Sequence, residues 1–496
     1  MAVRIATHCP TGIAGVSRVT FARTTRQRRL AAAVSHDFTV GPIPRKLFLF
    51  SLPILLTNLL QATMQLVNGL WVGNLLGNEA FASVTVATMV LAVVLAFVLG
   101  LNNATLTIFA QLRGAGDDDG IHSYLGAFTI LLVTLSTVVG IAGYRSTEWL
   151  LVLLNTPPSI MDAATSYLRI NFVGTLFLVG YNFIGTMLRA FGDSRTPLYF
   201  VLLATVLAAV LGPLFIAGLG MGVAGAAWAM VLAQATAFLY SLVYLARRPG
   251  RYPLRPRLPG FSEFRTILEL GIPSGIQMIV IYAGSAVILS LVNSYGDGVV
   301  AGFGAAQRLD SIILLPAVAL GMAVNAMAAQ NIGANQWPRV TQITRTGVMF
   351  NVAVMMAISA VLLIWAEPLI RLFIQDQASV AFGVSYLRTI ATFYPFIGLN
   401  FIFNGVVRGS GAMFQVLALN IISLWVLRVP LAYGLANVRN EQGIALGIGI
   451  SFLISSLFSF AYYRWGRWRE KQLFPGSADA GEEAVLVSES PLLEPE

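Results

Sequence analysis

The chain contains twelve apolar runs, each long enough for one bilayer crossing, and this pattern limits its possible folds more than any other feature. About 20 apolar residues cross the hydrocarbon core as a helix, and lipid offers the backbone no hydrogen-bonding partner, so each run must be helical. Only 11% of the residues are charged, against about 25% in soluble domains. We therefore predict an all-α integral membrane protein. The runs lie near residues 47–72, 80–110, 123–143, 164–188, 197–217, 222–246, 266–293, 299–327, 346–365, 385–407, 414–435 and 443–463.

The basic residues lie mainly in the short gaps between these runs. A polar stretch at residues 247–265, with six arginines, separates the first six runs from the last six. Segments expected to face the cytoplasm carry 24 Lys and Arg residues, and those expected outside carry 5. This bias follows the positive-inside rule, so we predict a multi-pass protein of the plasma membrane with both termini cytoplasmic. Because the basic residues are scattered, the net charge of +9 does not indicate nucleic-acid binding.

The two halves of the chain resemble each other at a shift of 219 residues. Chance similarity between apolar helices would match Leu and Val rather than Gln, Arg and Gly at one fixed spacing. Each half has an even number of spans, so the repeat is parallel, as in many secondary transporters. The matched groups are Gly77 with Gly296, Gln111-x-x-Gly114 with Gln330-x-x-Gly333, Tyr167-Leu168-Arg169 with Tyr386-Leu387-Arg388, and Arg189-x-x-Gly192 with Arg408-x-x-Gly411.

These patterns predict twelve transmembrane helices in two pseudo-symmetric six-helix lobes, within a monomer. The N-lobe covers residues 46–246, a cytoplasmic linker covers 247–265, and the C-lobe covers 266–465. Residues 1–45 are basic and lack the apolar core of a secretory signal. We interpret them as a disordered tail, with a transit peptide and a wrongly assigned start as alternatives. Residues 466–496 are predicted to form a disordered C-terminal tail.

The sequence offers little for a metal or a cofactor. One cysteine, Cys9, allows no intrachain disulfide. The three histidines lie outside the apolar runs, which makes a histidine metal site improbable. Three adjacent aspartates at residues 117–119 fit a solvated turn better than a magnesium site. We predict no metal, no cofactor and no enzymatic activity.

At this point the sequence resembles the multidrug and toxic compound extrusion (MATE) family. The resemblance covers roughly residues 44–465 and implies two six-helix bundles that export drug-like, often cationic, compounds in exchange for protons or sodium ions. It rests on the order of five segments along the twelve spans: LWVGNLLG at 70–77, LRAFGDSRTP at 188–197, MGVAGAAWA at 221–229, AQNIGAN at 329–335 and RVPLAY at 428–433.

The chain departs from the ion sites that this resemblance implies. Many members have an aspartate in the first span where Asn68 stands here. The NxxxDP motif of the fifth span is reduced to Gly212-Pro213, preceded by apolar residues. Members coupled to sodium carry a glutamate eight residues after the proline of the seventh span, and here that position is Ile281.

Asp310 is the one acidic residue placed well inside an apolar run. An ion-coupled antiporter needs a group near the midplane whose charge changes with ion binding, and a carboxylate meets this need. Arg308 is two residues away and points to a different side of the helix, so Arg428 in the eleventh run is the preferred partner. We predict that Asp310 is the coupling carboxylate and that Arg428 competes with protons or substrate for it. The competing interpretation is a permanent salt bridge that pins two helices.

Other polar and aromatic residues in the runs are candidates for a substrate cavity. Gln61, Gln65 and Asn68 are spaced by four and three residues, which stacks them on one helical face. Interhelical hydrogen bonding is an equally good explanation for such amides. The remaining candidates are Asn182, Gln277, Tyr282, Gln307, Arg308 and Asn404.

The preferred function is therefore efflux of small organic solutes by proton- or sodium-coupled antiport. A flippase for lipid-linked oligosaccharides is one alternative, and it would favour a cavity lined with arginines. An integral membrane transferase is another, and it would need acid pairs or histidines at the membrane surface.

Overall fold

A computed structural model describes residues 37–247 and 256–474, and all regular secondary structure in these residues is helical. The predicted tails before residue 37 and after 474, and the middle of the predicted linker, lie outside the described residues. Among the described residues, nine spans are long and apolar enough to cross a membrane, and two more are bent helix pairs. The helix Asn78–Ala115 is the twelfth, so the predicted all-α fold with twelve spans is confirmed.

Within residues 37–247, seven α-helices form the N-lobe. A π-helical turn, Leu214–Gly218, extends α6, and α4 and α5 together make one span. The helices are α1 (Ile43–Leu76), α2 (Asn78–Ala115), α3 (Asp118–Leu153), α4 (Pro158–Val173), α5 (Thr175–Ala190), α6 (Arg195–Pro213) and α7 (Gly222–Ala246).

Within residues 256–474, nine α-helices form the C-lobe, again as six spans. Spans are made by α9 with α10, by α12 with α13, and by α14 with α15 through the π-helical turn Ile422–Arg428. The helices are α8 (Phe261–Asn293), α9 (Asp297–Ile313), α10 (Leu315–Gly333), α11 (Trp337–Arg371), α12 (Gln377–Ala391), α13 (Tyr394–Gly409), α14 (Met413–Ile421), α15 (Val429–Arg439) and α16 (Glu441–Trp465).

The sequence repeat corresponds to repeated structure. The fourth span of each lobe is broken, by 48° between α4 and α5 and by 49° between α12 and α13. Gly77 and Gly296 end their preceding spans with φ of 85° and 92°, a left-handed conformation that residues with a Cβ rarely adopt. The matched glycines in the sequence therefore mark matched turns.

Two faces of the molecule follow from the order of the spans. We call the end that carries the loops at 116–117, 191–194, 334–336 and 410–412 the basic end. The far end carries the loops at 154–157, 219–221 and 372–376. The spans alternate in direction between these two ends.

The lobes meet where helix backbones approach each other. Helix α2 packs against α8 and α10, and α1 packs against α10. A Cβ on Gly100 of α2 would collide with the backbone of Gly275 on α8. Near the basic end, a Cβ on Gly114 would strike the carbonyl oxygen of Gln330, and one on Gly333 would strike that of Gln111. Small residues allow such close packing between membrane helices.

Two repeat-related glutamines join the lobes at the same place. Gln111, fully buried, donates from Nε2 to the carbonyl oxygen of Gly409 at 2.7 Å. Gln330, 2% exposed, donates from Nε2 to the carbonyl oxygen of Ala190 at 2.6 Å. Gly409 and Ala190 are themselves 219 residues apart, so each lobe holds the other by the same bond. We call this pair of hydrogen bonds the glutamine clasp.

The domain boundaries differ from the prediction at three places. Helix α8 begins at Phe261, five residues before the predicted start of the C-lobe at residue 266. Phe38, predicted within the disordered tail, is fully buried against the lobes. Residues 467–471 form a 3₁₀-helix, and the Trp468 side chain is 1% exposed and stacked on Tyr463. The predicted tail at 466–474 is therefore wrong, because one tryptophan supplies enough apolar area to fix this segment.

The glutamine clasp predicts a mechanical effect at the basic end. We expect the double variant Gln111→Leu/Gln330→Leu to open this end more often, because each change removes a bond worth about 1 kcal/mol. Ser410, fully buried beside the clasp, is replaced by cysteine in a Cys9→Ala background. Its labelling by a water-soluble maleimide should become about thirtyfold faster, because the two bonds together contribute about 2 kcal/mol.

The matched control is Gln342→Leu, at an exposed position on α11. It should leave the labelling rate unchanged. Equal rates in the clasp variant and the control would show that the clasp does not hold the basic end closed.

Candidate functional site

Asp310 is held inside the C-lobe by a tyrosine from the broken span. It lies thirteen residues into α9, about 20 Å along the helix axis from the first residue. Its side chain is half-buried, and the Tyr394 hydroxyl donates a hydrogen bond to Oδ1. Tyr394 is the first residue of α13, directly after the 49° break, and is 1% exposed. The break therefore places a hydroxyl donor opposite the carboxylate.

Tyr386 and Arg428 complete the polar group. Tyr386 on α12 is 3% exposed and lies close enough to Asp310 and Arg428 to feel both charges. Arg428 ends the π-helical turn between α14 and α15. We call Asp310, Tyr386, Tyr394 and Arg428 the C-lobe polar group.

The predicted pairing of Asp310 with Arg428 is not present as a direct ion pair. Within the described residues, no Lys, Arg or His lies within 4.0 Å of the Asp310 carboxylate. Arg428 instead stacks over the Phe452 ring, with 4.6 Å from Cζ to the centroid, and its Nε donates to Ser451 Oγ at 3.2 Å. The π-helical turn aims the guanidinium at α16, where cation–π attraction replaces a carboxylate.

The N-lobe contains a neutral counterpart. Asn68 on α1 is 9% exposed and donates from Nδ2 to the hydroxyl of Tyr167 at 3.0 Å. Tyr167 and Tyr386 are partners in the repeat, so both lobes place a buried tyrosine at this level. The N-lobe pairs it with an amide, whereas the C-lobe brings it near Asp310.

A second cluster of amides and hydroxyls lies in the C-lobe. Asn404 donates from Nδ2 to Asn400 Oδ1 at 2.5 Å, and Ser459 Oγ donates to the same oxygen at 2.8 Å. Asn404 is 6% exposed. These bonds join α13 to α16, which fits interhelical hydrogen bonding at this candidate position.

The other predicted cavity residues are spread over four helices, α1, α5, α8 and α9. On α1, Gln61 is half-buried beside Tyr181 and Gln65 is exposed. Asn182 on α5 is half-buried and bonds its own helix at the Leu178 carbonyl.

On α8 and α9 the candidates differ in exposure. Gln277 is 2% exposed and Tyr282 is 49% exposed. Gln307 and Arg308 are exposed on α9. In the part of the chain that the structure describes, no three His, Cys, Asp or Glu side chains form a group that could hold a metal ion.

Several members of these clusters were not predicted from the sequence. Tyr394 was not predicted as a hydrogen-bond donor, and Tyr386 was used only as a marker of the repeat. Ser451, Phe452 and Ser459 gave no signal. The match between Tyr167 and Tyr386 was the available clue, because a buried hydroxyl needs a partner.

A comparison with known proteins decides between the functional classes. The MatE family model matches residues 53–214 and 273–434, one match in each lobe. The chain belongs to the MATE family. The starts of the two matches, 53 and 273, lie close to the shift of 219 residues found in the sequence. Membership favours antiport over the flippase and the transferase.

Relatives of this MATE chain carry consistent descriptions. A Bacillus subtilis protein described as "Probable multidrug resistance protein YpnP" is 52% identical over 440 residues, covering 89% of this chain and 99% of the relative. Another from the same species, "Probable multidrug resistance protein YoeA", is 29% identical over 86% of this chain and 95% of its own length.

Solved structures show the same fold. One described as the outward-facing conformation of a multidrug resistance MATE family transporter has a TM-score of 0.83 at 22% identity. The alignment covers 88% of this chain and 98% of that chain. The twelve-helix, two-lobe architecture is therefore that of the MATE family.

The bond between Asn68 and Tyr167 predicts a non-additive effect on stability. Asn68→Leu leaves a buried tyrosine hydroxyl without a partner, at a cost of about 1–3 kcal/mol. Adding Tyr167→Phe removes that hydroxyl, so the double variant should recover part of the loss. The measurement is the midpoint of thermal unfolding in detergent. Simple addition of the two single losses would mean that the bond does not stabilise the lobe.

Proposed function

We propose that this protein exports small organic solutes, including cations, from the cytoplasm in exchange for protons. Family membership and the descriptions of the relatives support the transported class. The observation that carries the coupling mechanism is Asp310, a carboxylate deep in a span that accepts a hydrogen bond from Tyr394.

Asp310 lies inside a span, where an ionised side chain is costly. An ionised residue at the centre of a bilayer costs about 2.5–3.5 kcal/mol on insertion scales, so such residues are rare and usually functional. A carboxylate locked in an ion pair would have to break that pair before changing its charge. Asp310 has no cation within 4.0 Å among the described residues, so binding a proton breaks no salt bridge.

The C-lobe polar group lies at the break of the fourth span. Asp310 is on α9, Tyr386 is on α12, and Tyr394 begins α13 at the break of the fourth span. A change in the charge of Asp310 therefore acts on a helix that is already bent. Protonation weakens the bond from the Tyr394 hydroxyl, since the acceptor is no longer an anion. We propose that this change alters the bend and thereby couples proton binding to the exposure of the substrate cleft.

Arg428 has a separate role in this mechanism. Its guanidinium is stabilised by Phe452 and Ser451 rather than by Asp310. Tyr386 lies near both Arg428 and Asp310. We propose that Arg428 keeps a cationic substrate out of the C-lobe polar group while Asp310 is neutral.

The proposed topology follows the distribution of basic residues. The basic end faces the cytoplasm, with both termini on that side of the plasma membrane. The glutamine clasp then closes the cytoplasmic side, and the solute leaves from the far end. The lobes need no second copy for this cycle, so we propose a monomer.

Asp310→Asn tests the coupling directly. The full chain is reconstituted in proteoliposomes with ethidium as the transported cation, and a pH gradient is imposed. We expect dye movement in this variant to fall to the rate of empty vesicles, because asparagine cannot carry the exchanged proton. Asp297→Asn, at the exposed start of the same helix, is the matched control and should transport as the wild type does.

Two results would reject the proposal. One is pH-driven transport by Asp310→Asn at the wild-type rate. The other is transport that responds to a sodium gradient at equal pH on both sides and does not respond to a pH gradient.

Tyr394→Phe tests the hydroxyl separately from the packing of the ring. A hydrogen bond to a charged group contributes about 1.5–3 kcal/mol, so we expect pH-driven exchange to slow by about tenfold. Ethidium binding measured without a gradient should be unchanged, because the ring stays in place. Tyr433→Phe, at an exposed position on α15, is the control. Equal exchange rates in the two variants would remove Tyr394 from the mechanism.

A further inference from the structure

A polar cavity lies in the N-lobe, away from the residues assigned to transport. It has a volume of about 800 Å³ and is lined by side chains of α3, α4 and α7. It lies towards the far end, since α3 ends at Leu153 and α4 begins at Pro158. Arg169 lines it, whereas Tyr167, two residues earlier on α4, points to a different side and reaches Asn68. We call it the N-lobe pocket.

Arg169 is only partly satisfied within the N-lobe pocket. Its Nη2 forms an ion pair with Glu148 Oε1 at 2.9 Å, and its Cζ lies 5.2 Å from the centroid of the Tyr144 ring. Its Nε is buried and has no hydrogen-bond partner among the described residues. An arginine has donors only, so this site requires an acceptor oxygen.

Thr165, one turn away on α4, also has a buried polar atom without a partner among the described residues. Its side chain is 7% exposed, and its Oγ1 has no hydrogen-bond partner in the described part of the chain. Other helical threonines donate to the carbonyl four residues earlier, as Thr147 does to Gly143 at 2.7 Å. Thr165 and Arg169 are four residues apart on α4, so both face the same space. A buried hydroxyl and a buried N–H thus point at one ligand with oxygen acceptors.

Acidic side chains line the other part of the N-lobe pocket. Asp162 is exposed, and Glu148 is 66% exposed beyond its contact with Arg169. Their oxygens accept hydrogen bonds and favour a cationic group. The N-lobe pocket therefore presents donors on one side and anions on the other, which suits a ligand that carries both charges.

The repeat provides an internal comparison. At the shift of 219 residues, Tyr144, Asp162 and Thr165 correspond to Leu363, Ala381 and Val384. The fold is therefore compatible with apolar side chains at these places. The polar lining belongs to the N-lobe alone among these matched positions, which indicates a ligand rather than a structural need.

The C-lobe keeps the two residue types of the ion pair in the N-lobe pocket but has apolar residues at the three positions above. Glu148 and Arg169 correspond to Glu367 and Arg388. Glu367 pairs with Arg371 four residues along its own helix, and Arg388 is exposed. Arg388 is thus a matched control for Arg169.

We propose that the N-lobe pocket binds the headgroup of a zwitterionic phospholipid from the leaflet at the far end. The phosphate oxygens accept hydrogen bonds from Arg169 and Thr165, and the ammonium group donates to Glu148 and Asp162. The acyl chains follow the exposed apolar side chains Val152 and Val173, which line the same pocket. Trp228 and Tyr144 also line the pocket, and aromatic side chains of this kind are enriched where membrane proteins contact headgroups. The assignment to the outer leaflet rests on the proposed topology, whereas the headgroup chemistry does not.

Native mass spectrometry of the full chain tests this proposal. The protein is released from nanodiscs that contain equal amounts of phosphatidylethanolamine and phosphatidylglycerol. The wild type should retain phosphatidylethanolamine in preference to phosphatidylglycerol. Arg169→Gln should lower the retained phosphatidylethanolamine by about tenfold, because it removes a charge-assisted contact. Arg388→Gln should retain it as the wild type does.

Thr165→Val separates lipid binding from folding, because it keeps the side-chain shape and the ion pair between Arg169 and Glu148. It should also lower retention of phosphatidylethanolamine, with an unchanged midpoint of thermal unfolding. Equal retention of the two lipids by the wild type would overturn the proposal, as would wild-type retention by both pocket variants. Asp310→Asn should keep the lipid, so a failure of the proposed transport mechanism remains distinguishable from a failure of lipid binding.

Discussion

The contact between the two lobes at Gly114 and Gly333 determines how the rest of the molecule is arranged. Lipid gives apolar helices no hydrophobic reason to associate, so contact depends on close packing and hydrogen bonds. Here the helix backbones touch, and Gln111 and Gln330 each donate to the opposite lobe. Water satisfies the same amide and carbonyl groups when the lobes separate. The net free energy of this contact between the lobes is therefore small. A transporter that alternates between two states requires such a small difference.

The two lobes share the same helical arrangement but differ in the polar residues that they bury. Both keep the broken fourth span and a buried tyrosine, Tyr167 in one and Tyr386 in the other. The N-lobe adds a neutral amide, Asn68, so its polar pair has no charge to exchange. The C-lobe adds a carboxylate, Asp310, with a hydroxyl donor at the helix break. Of the two matched polar groups, the C-lobe group alone contains a carboxylate, whereas the fourth span is bent in both lobes.

The spans could be predicted because a run of about 20 apolar residues matches the thickness of the bilayer, and in lipid its backbone can form hydrogen bonds only as a helix. The repeat could be predicted because polar residues and glycines match at one fixed spacing. The depth of Asp310 followed from the same count. The contacts of Arg428 did not, because it ends a π-helical turn, and the inserted residue changes the direction of the side chain relative to an α-helix. Tyr394 was overlooked as a donor since nothing in the sequence marks the 49° break that places it opposite the carboxylate. The order at Trp468 was also missed, because a short segment with a single aromatic anchor resembles a tail.

Two charged sites in the spans show how this chain treats charge near lipid. Arg169 forms an ion pair with Glu148 and lies over the Tyr144 ring, although its Nε has no hydrogen-bond partner among the described residues. Asp310 is held by a neutral hydroxyl, and the described residues place no cation within 4.0 Å of it. A permanent ion pair resists a change of protonation, since one partner would be left as an uncompensated charge. A carboxylate bonded to a hydroxyl keeps a partner in either protonation state, because a hydroxyl both donates and accepts. The chemistry of the partner therefore separates a structural charge from one suited to coupling.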